Sequence, residues 1–147
     1  MKTQPHLEFG SSNKWPETVV AYTDGASRGN PGPASIGMVV QNFQGEIIYE
    51  YAEALGHQTN NFAEYSAVKK ILELAANNHV SELTLRSDSE LLIKQMKGEY
   101  RVKSESIKPL YIACDGLRKK IKKIAFEHVR REYNKRADEL ANLVLDI

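Results

Sequence analysis

The chain has a single cysteine, Cys114, among 147 residues. One thiol closes no internal disulfide and supplies no multi-cysteine zinc site, which excludes both scaffolds. No stretch of 18 apolar residues occurs, so no membrane-spanning helix is expected. Proline, with 5 residues, and glycine, with 9, are too scarce for a collagen or a low-complexity chain. Residues 1–16 (MKTQPHLEFGSSNKWP) lack the apolar run of a signal peptide, so the expected location is the cytoplasm. What is present suits one globular domain: 41% hydrophobic and 27% charged residues, in a length that allows a sizeable core. Residues 1–17 read as a polar, flexible N-terminal extension, and residues 18–147 as a single domain.

The net charge of +1 hides an asymmetry. Residues 94–136 carry 14 Lys/Arg against 5 Asp/Glu, and the remainder carries 6 against 14. A basic half beside an acidic half fits a polyanionic partner or a solvated helix face, and charge alone does not choose.

Local patterns give the order βββαβααβα. Residues 19–23 (VVAYT) read as a strand, and the Gly/Pro-dense residues 24–37 as a loop. Strands follow at residues 38–41 and 46–54, joined by a turn ending in Gly45. Apolar residues then switch to helical spacing at Ala63, Ala67, Ile71, Leu74 and Ala75. A strand at residues 82–87 precedes a short helix capped within Ser87-Asp88-Ser89. A helix over 107–123, a strand over 124–129 and a helix over 136–145 complete the chain. The pattern predicts an α/β domain: a five-stranded mixed sheet, with a three-strand antiparallel meander plus two parallel strands, flanked by helices.

Four acidic residues stand at element ends. Asp24 follows the first strand, Asp88 the fourth, and Glu64 and Asp138 lie near helix starts. Ligands of open α/β sheets gather beyond the carboxyl ends of strands, where these carboxylates can converge. Oxygen ligands of this kind suit Mg²⁺, and paired ions support in-line phosphodiester cleavage. Any one of the four alone is better explained as an Asx-turn, an N-cap or a helix-dipole partner. Four together, each beside an unusual motif, favour the metal reading.

Those motifs are TDGASRGNPGPASIG (residues 23–37), TNNFAEYSAV (59–68), RSDSELLIKQM (86–96) and HVRREYNKRADELAN (128–142). In this order they resemble the four signatures of the type 1 ribonuclease H family, over residues 19–145. The resemblance implies the ribonuclease H-like fold. It also implies endonucleolytic hydrolysis of the RNA strand of RNA–DNA hybrids with two Mg²⁺ ions, Mn²⁺ being a substitute, giving 5′-phosphate and 3′-hydroxyl ends. It assigns the catalytic and metal-binding carboxylates to Asp24, Glu64, Asp88 and Asp138. Asp24 would bridge both ions, Asp138 would help hold the one that activates water, and Glu64 and Asp88 the one at the leaving oxygen. Glu64 would also face the 2′-hydroxyl that marks RNA. Substrate contacts carry over to Gly25, Ser27, Asn30, Thr59, Asn60, Asn61, Ser89 and Glu90. A monomer with no membrane attachment is expected.

Two departures from the family pattern stand out. His128 is ten residues before Asp138, where many members carry a catalytic-loop histidine, but it lies inside the strand IAFEHV and reads as structural. The loop RREYNK has no histidine and offers Arg131, a permanent cation that cannot serve as a base, and Glu132. The basic handle helix is also missing, since residues 98–106 form a short loop; Lys94, Lys97, Arg101 and Lys103 are its candidate substitutes. DNA-cutting nucleases of resolvase or integrase type and a non-catalytic hybrid-binding module are the alternatives.

Overall fold

The computed structural model describes residues 4–147. One six-stranded mixed sheet carries helices on both faces. Its strands are β1 (His6–Gly10), β2 (Thr18–Ser27), β3 (Gly32–Asn42), β4 (Ile47–Gln58), β5 (Glu82–Ser87) and β6 (Lys123–His128), in the order β1-β4-β3-β2-β5-β6. The β1–β4, β4–β3 and β3–β2 pairs are antiparallel. The β2–β5 and β5–β6 pairs are parallel. The meander and the two parallel strands expected from sequence are therefore present. The sixth strand comes from the segment read as an extension: His6–Gly10 pairs with β4, Leu7 packs against the core beneath α4, and Trp15 is buried. Alternation is weak over HLEFG, and edge pairing leaves most of its side chains in solvent, so little signal reaches the sequence.

The helices are α1 (Asn60–Asn77), α2 (Glu90–Met96), α3 (Lys108–Arg118) and α4 (Lys135–Leu145). A stripe of Ala63, Ala67, Val68, Ile71, Leu72 and Ala75 sets α1 onto the main core, against β2 and β3 residues such as Val19, Ala21, Ile36 and Met38. On the opposite face, α4 packs through Ala137, Leu140 and Val144 onto Val39 and Ala52. Helix α3 ends five residues earlier than its pattern suggests. The chain closes in tight turns, from Lys120 N–H to the Leu117 carbonyl and from Ile121 N–H to that of Arg118, and buries Ile121 before β6 begins. Five basic residues in six positions (118–123) disfavour a longer helix by mutual repulsion.

The Gly/Pro-dense segment also differs from expectation. β2 continues through Asp24 to Ser27 and β3 starts at Gly32, so the loop shrinks to residues 28–31. Two of its glycines belong to strands and serve helix packing. A Cβ on Gly25 would sit 2.2 Å from the Glu64 backbone nitrogen, and one on Gly37 would sit 2.2 Å from the Ala137 carbonyl oxygen. Glycine inside a strand here marks the close approach of another backbone rather than a turn. Among the described residues no helix is long and apolar enough to cross a membrane.

Candidate active site

Asp24 and Gly37 are direct partners across the β2–β3 ladder. Gly25 admits the start of α1, which carries Glu64; Gly37 admits the start of α4, which carries Asp138. Asp88 lies one residue past β5, whose last pair with β2 is Thr23↔Ser87. The four acids thus reach one place from β2, α1, the end of β5 and α4. They line an open cleft of about 420 Å³ together with Gly25, Ser27, Asn60, Arg131 and Asn142.

Asp24, Glu64 and Asp88 each offer a carboxylate oxygen, and these atoms all lie within 4.8 Å of one another. Asp24 is the centre of the group. It is 7% exposed, and its Oδ2 is buried without a hydrogen-bond partner. Burial, then the charges of Asp88 and Asp138, a hydrogen bond with Asp138 and the charge of Glu64 push its carboxyl up to about 8. Glu64 is pushed up to about 7, mainly by burial, with Asp88 adding to it and hydrogen bonds from Ser89 and Asn60 opposing it. Carboxyl groups crowded in this way resist joint ionisation unless a cation enters. The orphaned oxygen and the all-oxygen donor set fit a hard divalent cation.

The neighbouring residues divide by position. Asn60 lines the cleft, and its Nδ2 donates to Glu64 Oε1 at 3.4 Å. Thr59 is the N-cap of α1, its hydroxyl accepting the Phe62 N–H at 3.1 Å. Asn30 Oδ1 accepts the Asn60 N–H at 3.1 Å and ties the β2–β3 loop to α1. The Ser27 hydroxyl lines the cleft and faces the carbonyls of Gly29 and, at 2.9 Å, Gln58. Ser89 caps α2. Asn61 is half-buried in the first turn of α1. Glu90 is exposed and pairs with Lys94 at 2.9 Å. Of the two loop residues, Arg131 borders the cleft, whereas Glu132 is exposed and lies 3.8 Å from Arg130.

Gly25 lines the cleft, and its missing Cβ leaves room for the α1 backbone. His128 does lie in β6, but it is exposed beside Ser87, so burial gives it no large share in stability. Sequence reasoning missed Asn142, whose Nδ2 donates to the Asp138 carbonyl at 2.9 Å and lies 3.4 Å from its Oδ1. The signal was there, since Asn142 is one turn beyond Asp138 on the same helix face. Of the candidate handle substitutes, Lys94 is engaged by Glu90 and by the Tyr100 ring, while Lys97, Arg101 and Lys103 are exposed.

Residues 22–144 match the reverse transcriptase-like family. Ribonuclease HI of Halobacterium salinarum is 41% identical over 87% of this chain. The chain spans 64% of that curated protein's length. The crystal structure of ribonuclease H1 from the same archaeon superposes with a TM-score of 0.84 at 40% identity, covering 88% of this chain and 98% of that one. This chain belongs to the ribonuclease H family. Its sheet and flanking helices are the ribonuclease H fold, with β1 as an added edge strand. A compost-derived family member, LC11 ribonuclease H1, crystallised with an RNA/DNA hybrid, matches with a TM-score of 0.80 at 36% identity, covering 88% of this chain and 97% of that one. Within the family fold, the Asp24–Glu64–Asp88 cluster is suited to divalent metal.

Proposed function

We propose that residues 18–147, with edge strand β1 and Trp15 packed onto them, form a catalytic domain that cuts the RNA strand of RNA–DNA hybrids endonucleolytically, leaving 5′-phosphate and 3′-hydroxyl ends. The observation that carries this reading is the convergence of Asp24, Glu64 and Asp88 within 4.8 Å at a cleft of a ribonuclease H-family chain. The hybrid-bound relative supports the choice of substrate. Asp24, Glu64, Asp88 and Asp138 would hold two Mg²⁺ ions, with Mn²⁺ able to replace them. Bound there, the metal supplies positive charge to the phosphate oxygens and lowers the pKa of a water nucleophile.

The protein's own part is orientation. Asn60 Nδ2 holds Glu64 Oε1, and Asn142 Nδ2 holds Asp138. Arg131 brings a permanent positive charge to the edge of an otherwise acidic cleft, where it attracts the scissile phosphate. Thr59, Asn60 and Asn61 present amide and hydroxyl groups at the start of α1, beside Glu64, where a ribose 2′-hydroxyl finds donors and acceptors. Ser27, which lines the cleft, and Asn30 and Ser89, which stand in sequence motifs of the family, would add contacts to the substrate. The protein would work as a cytoplasmic monomer.

The test is cleavage of labelled RNA–DNA, RNA–RNA and DNA–DNA duplexes with Mg²⁺, Mn²⁺ or EDTA. Cleavage confined to the RNA of the hybrid and abolished by EDTA is expected. Cutting of duplex DNA would transfer the reading to a resolvase or integrase type, and hybrid binding without cleavage to a recognition module.

A further inference from the structure

Asn134 is 1% exposed and stands where the 3-10 turn Arg131–Tyr133 ends and α4 begins. An asparagine at a helix start ordinarily turns its side-chain oxygen onto the free N–H groups of its own helix. Asn134 makes no such bond. Its Nδ2 donates instead to the Thr23 carbonyl at 2.9 Å, and its Oδ1 is buried without a partner. Giving up the cap and burying a lone amide oxygen both cost stability. Thr23 is the last β2 residue paired with β5, and Asp24 follows it. At its other end, Asn134 accepts the Asp138 N–H on its own carbonyl at 3.2 Å. One residue therefore links the backbone just before Asp24 to the backbone of Asp138.

We propose that Asn134 is a positioning residue that fixes Asp138 against Asp24 through the Thr23 carbonyl; this rests on the functional reading above. The other polar tethers of α4 run elsewhere than to β2 beside Asp24: Arg28 Nη2, in the β2–β3 loop, donates to the Asn142 carbonyl at 3.2 Å. Ser35 Oγ donates to the Ala141 carbonyl at 2.6 Å, about two turns along the helix. Arg136 Nε donates to Glu50 Oε2 at 2.5 Å, on β4. Leu140 and Val144 hold the helix body, and Arg136 and Ala137 hold the outer side of the first turn to β4 and to Val39 and Ala52, while Asn134 joins that turn to the strand carrying Asp24. Functional groups must be held to about 0.5 Å, so a loosened first turn matters at Asp138 before it matters to the fold.

The test compares the full chain with Asn134→Ala and with Ser35→Ala, which loosens α4 away from the cleft. Melting temperature, kcat and KM on hybrid, and Mn²⁺ affinity by calorimetry are measured for each. Asn134→Ala should lower kcat and Mn²⁺ affinity by about 10- to 100-fold, the range for groups that orient metal ligands. KM should stay within about twofold, because hybrid binding is untouched. Ser35→Ala should lose melting temperature while keeping kcat and Mn²⁺ affinity within about twofold. Should Asn134→Ala fail to fold, Asn134→Leu removes the same donor at nearly the same volume without opening a cavity, and the same loss of kcat is expected. A kcat that falls only in step with melting temperature, as in Ser35→Ala, or an unchanged Mn²⁺ affinity, overturns the proposal. A wild-type chain that binds Mn²⁺ but leaves hybrid intact counts against the functional reading, and the Mn²⁺ comparison still decides the role of Asn134.

Discussion

Asp24 shows at the scale of one residue how stability and metal binding oppose each other. Its Oδ2 is buried and unpaired, and Asp88, Asp138 and Glu64 all raise its proton affinity. Because it is the common neighbour of the other three acids, its removal should do most harm to any bound cation. Asp24→Asn keeps the shape and deletes the charge. Hydrolysis of hybrid with Mg²⁺ should fall by more than about 1,000-fold, as for other residues that act as a unit. The same variant without metal should unfold about 1–3 kcal/mol less readily at pH 8, since folding there leaves Asp24 either charged and unpaired or obliged to take up a proton, and a neutral amide does neither. Turnover assays and urea melts in EDTA check the two halves. Near-normal turnover would remove Asp24 from the metal set.

Between elements, two contacts of strand backbone with helix backbone build the site. Gly25 and Gly37 are flat places on β2 and β3 where α1 and α4 come too close for any Cβ. Gly25→Ala should force α1 away from β2 and cost about 1–3 kcal/mol, because the obstruction is backbone and cannot rotate aside. Glu64 moves with that helix, so activity per folded molecule should also drop. Full activity in a destabilised Gly25→Ala would show that α1 relaxes without moving Glu64. This packing explains what was legible in the sequence. The stripe of Ala63, Ala67 and Ile71 announced α1, and the four acids stood out at element ends, because periodicity and end positions are local properties. The extent of β2 was illegible, because a glycine that admits a helix looks in sequence like a glycine that makes a turn. Asn134 was passed over for a related reason: its partner, Thr23, is 111 positions away, and no local pattern reports such a bond. Edge strand β1 was missed because its burial is too one-sided and slight to impose alternation.

For the whole molecule, the raised carboxyls of Asp24 and Glu64 couple folding to pH and to metal. In the unfolded chain they titrate near 3.8 and 4.5; in the fold, burial moves them to about 8 and about 7. The folded state therefore binds more protons than the unfolded state between those limits. The stability gained by protonating these groups in the fold is fully present below their unfolded values and is lost as pH rises through about 7 to 8. Without metal, the melting temperature should fall as pH goes from about 5.5 to about 8.5, opposite in sign to a protein whose carboxylates are salt-bridged. A divalent cation needs the ionised forms, so its affinity should rise over the same interval and its binding should release protons. Melts in EDTA and in Mg²⁺ across this range should converge at the acid end and separate at the alkaline end. Asp24→Asn should flatten the EDTA curve, because the largest of the two shifts is gone. An EDTA curve that rises with pH in the wild type, or one that Asp24→Asn leaves unchanged, would show that the acid cluster does not govern the pH response of the fold.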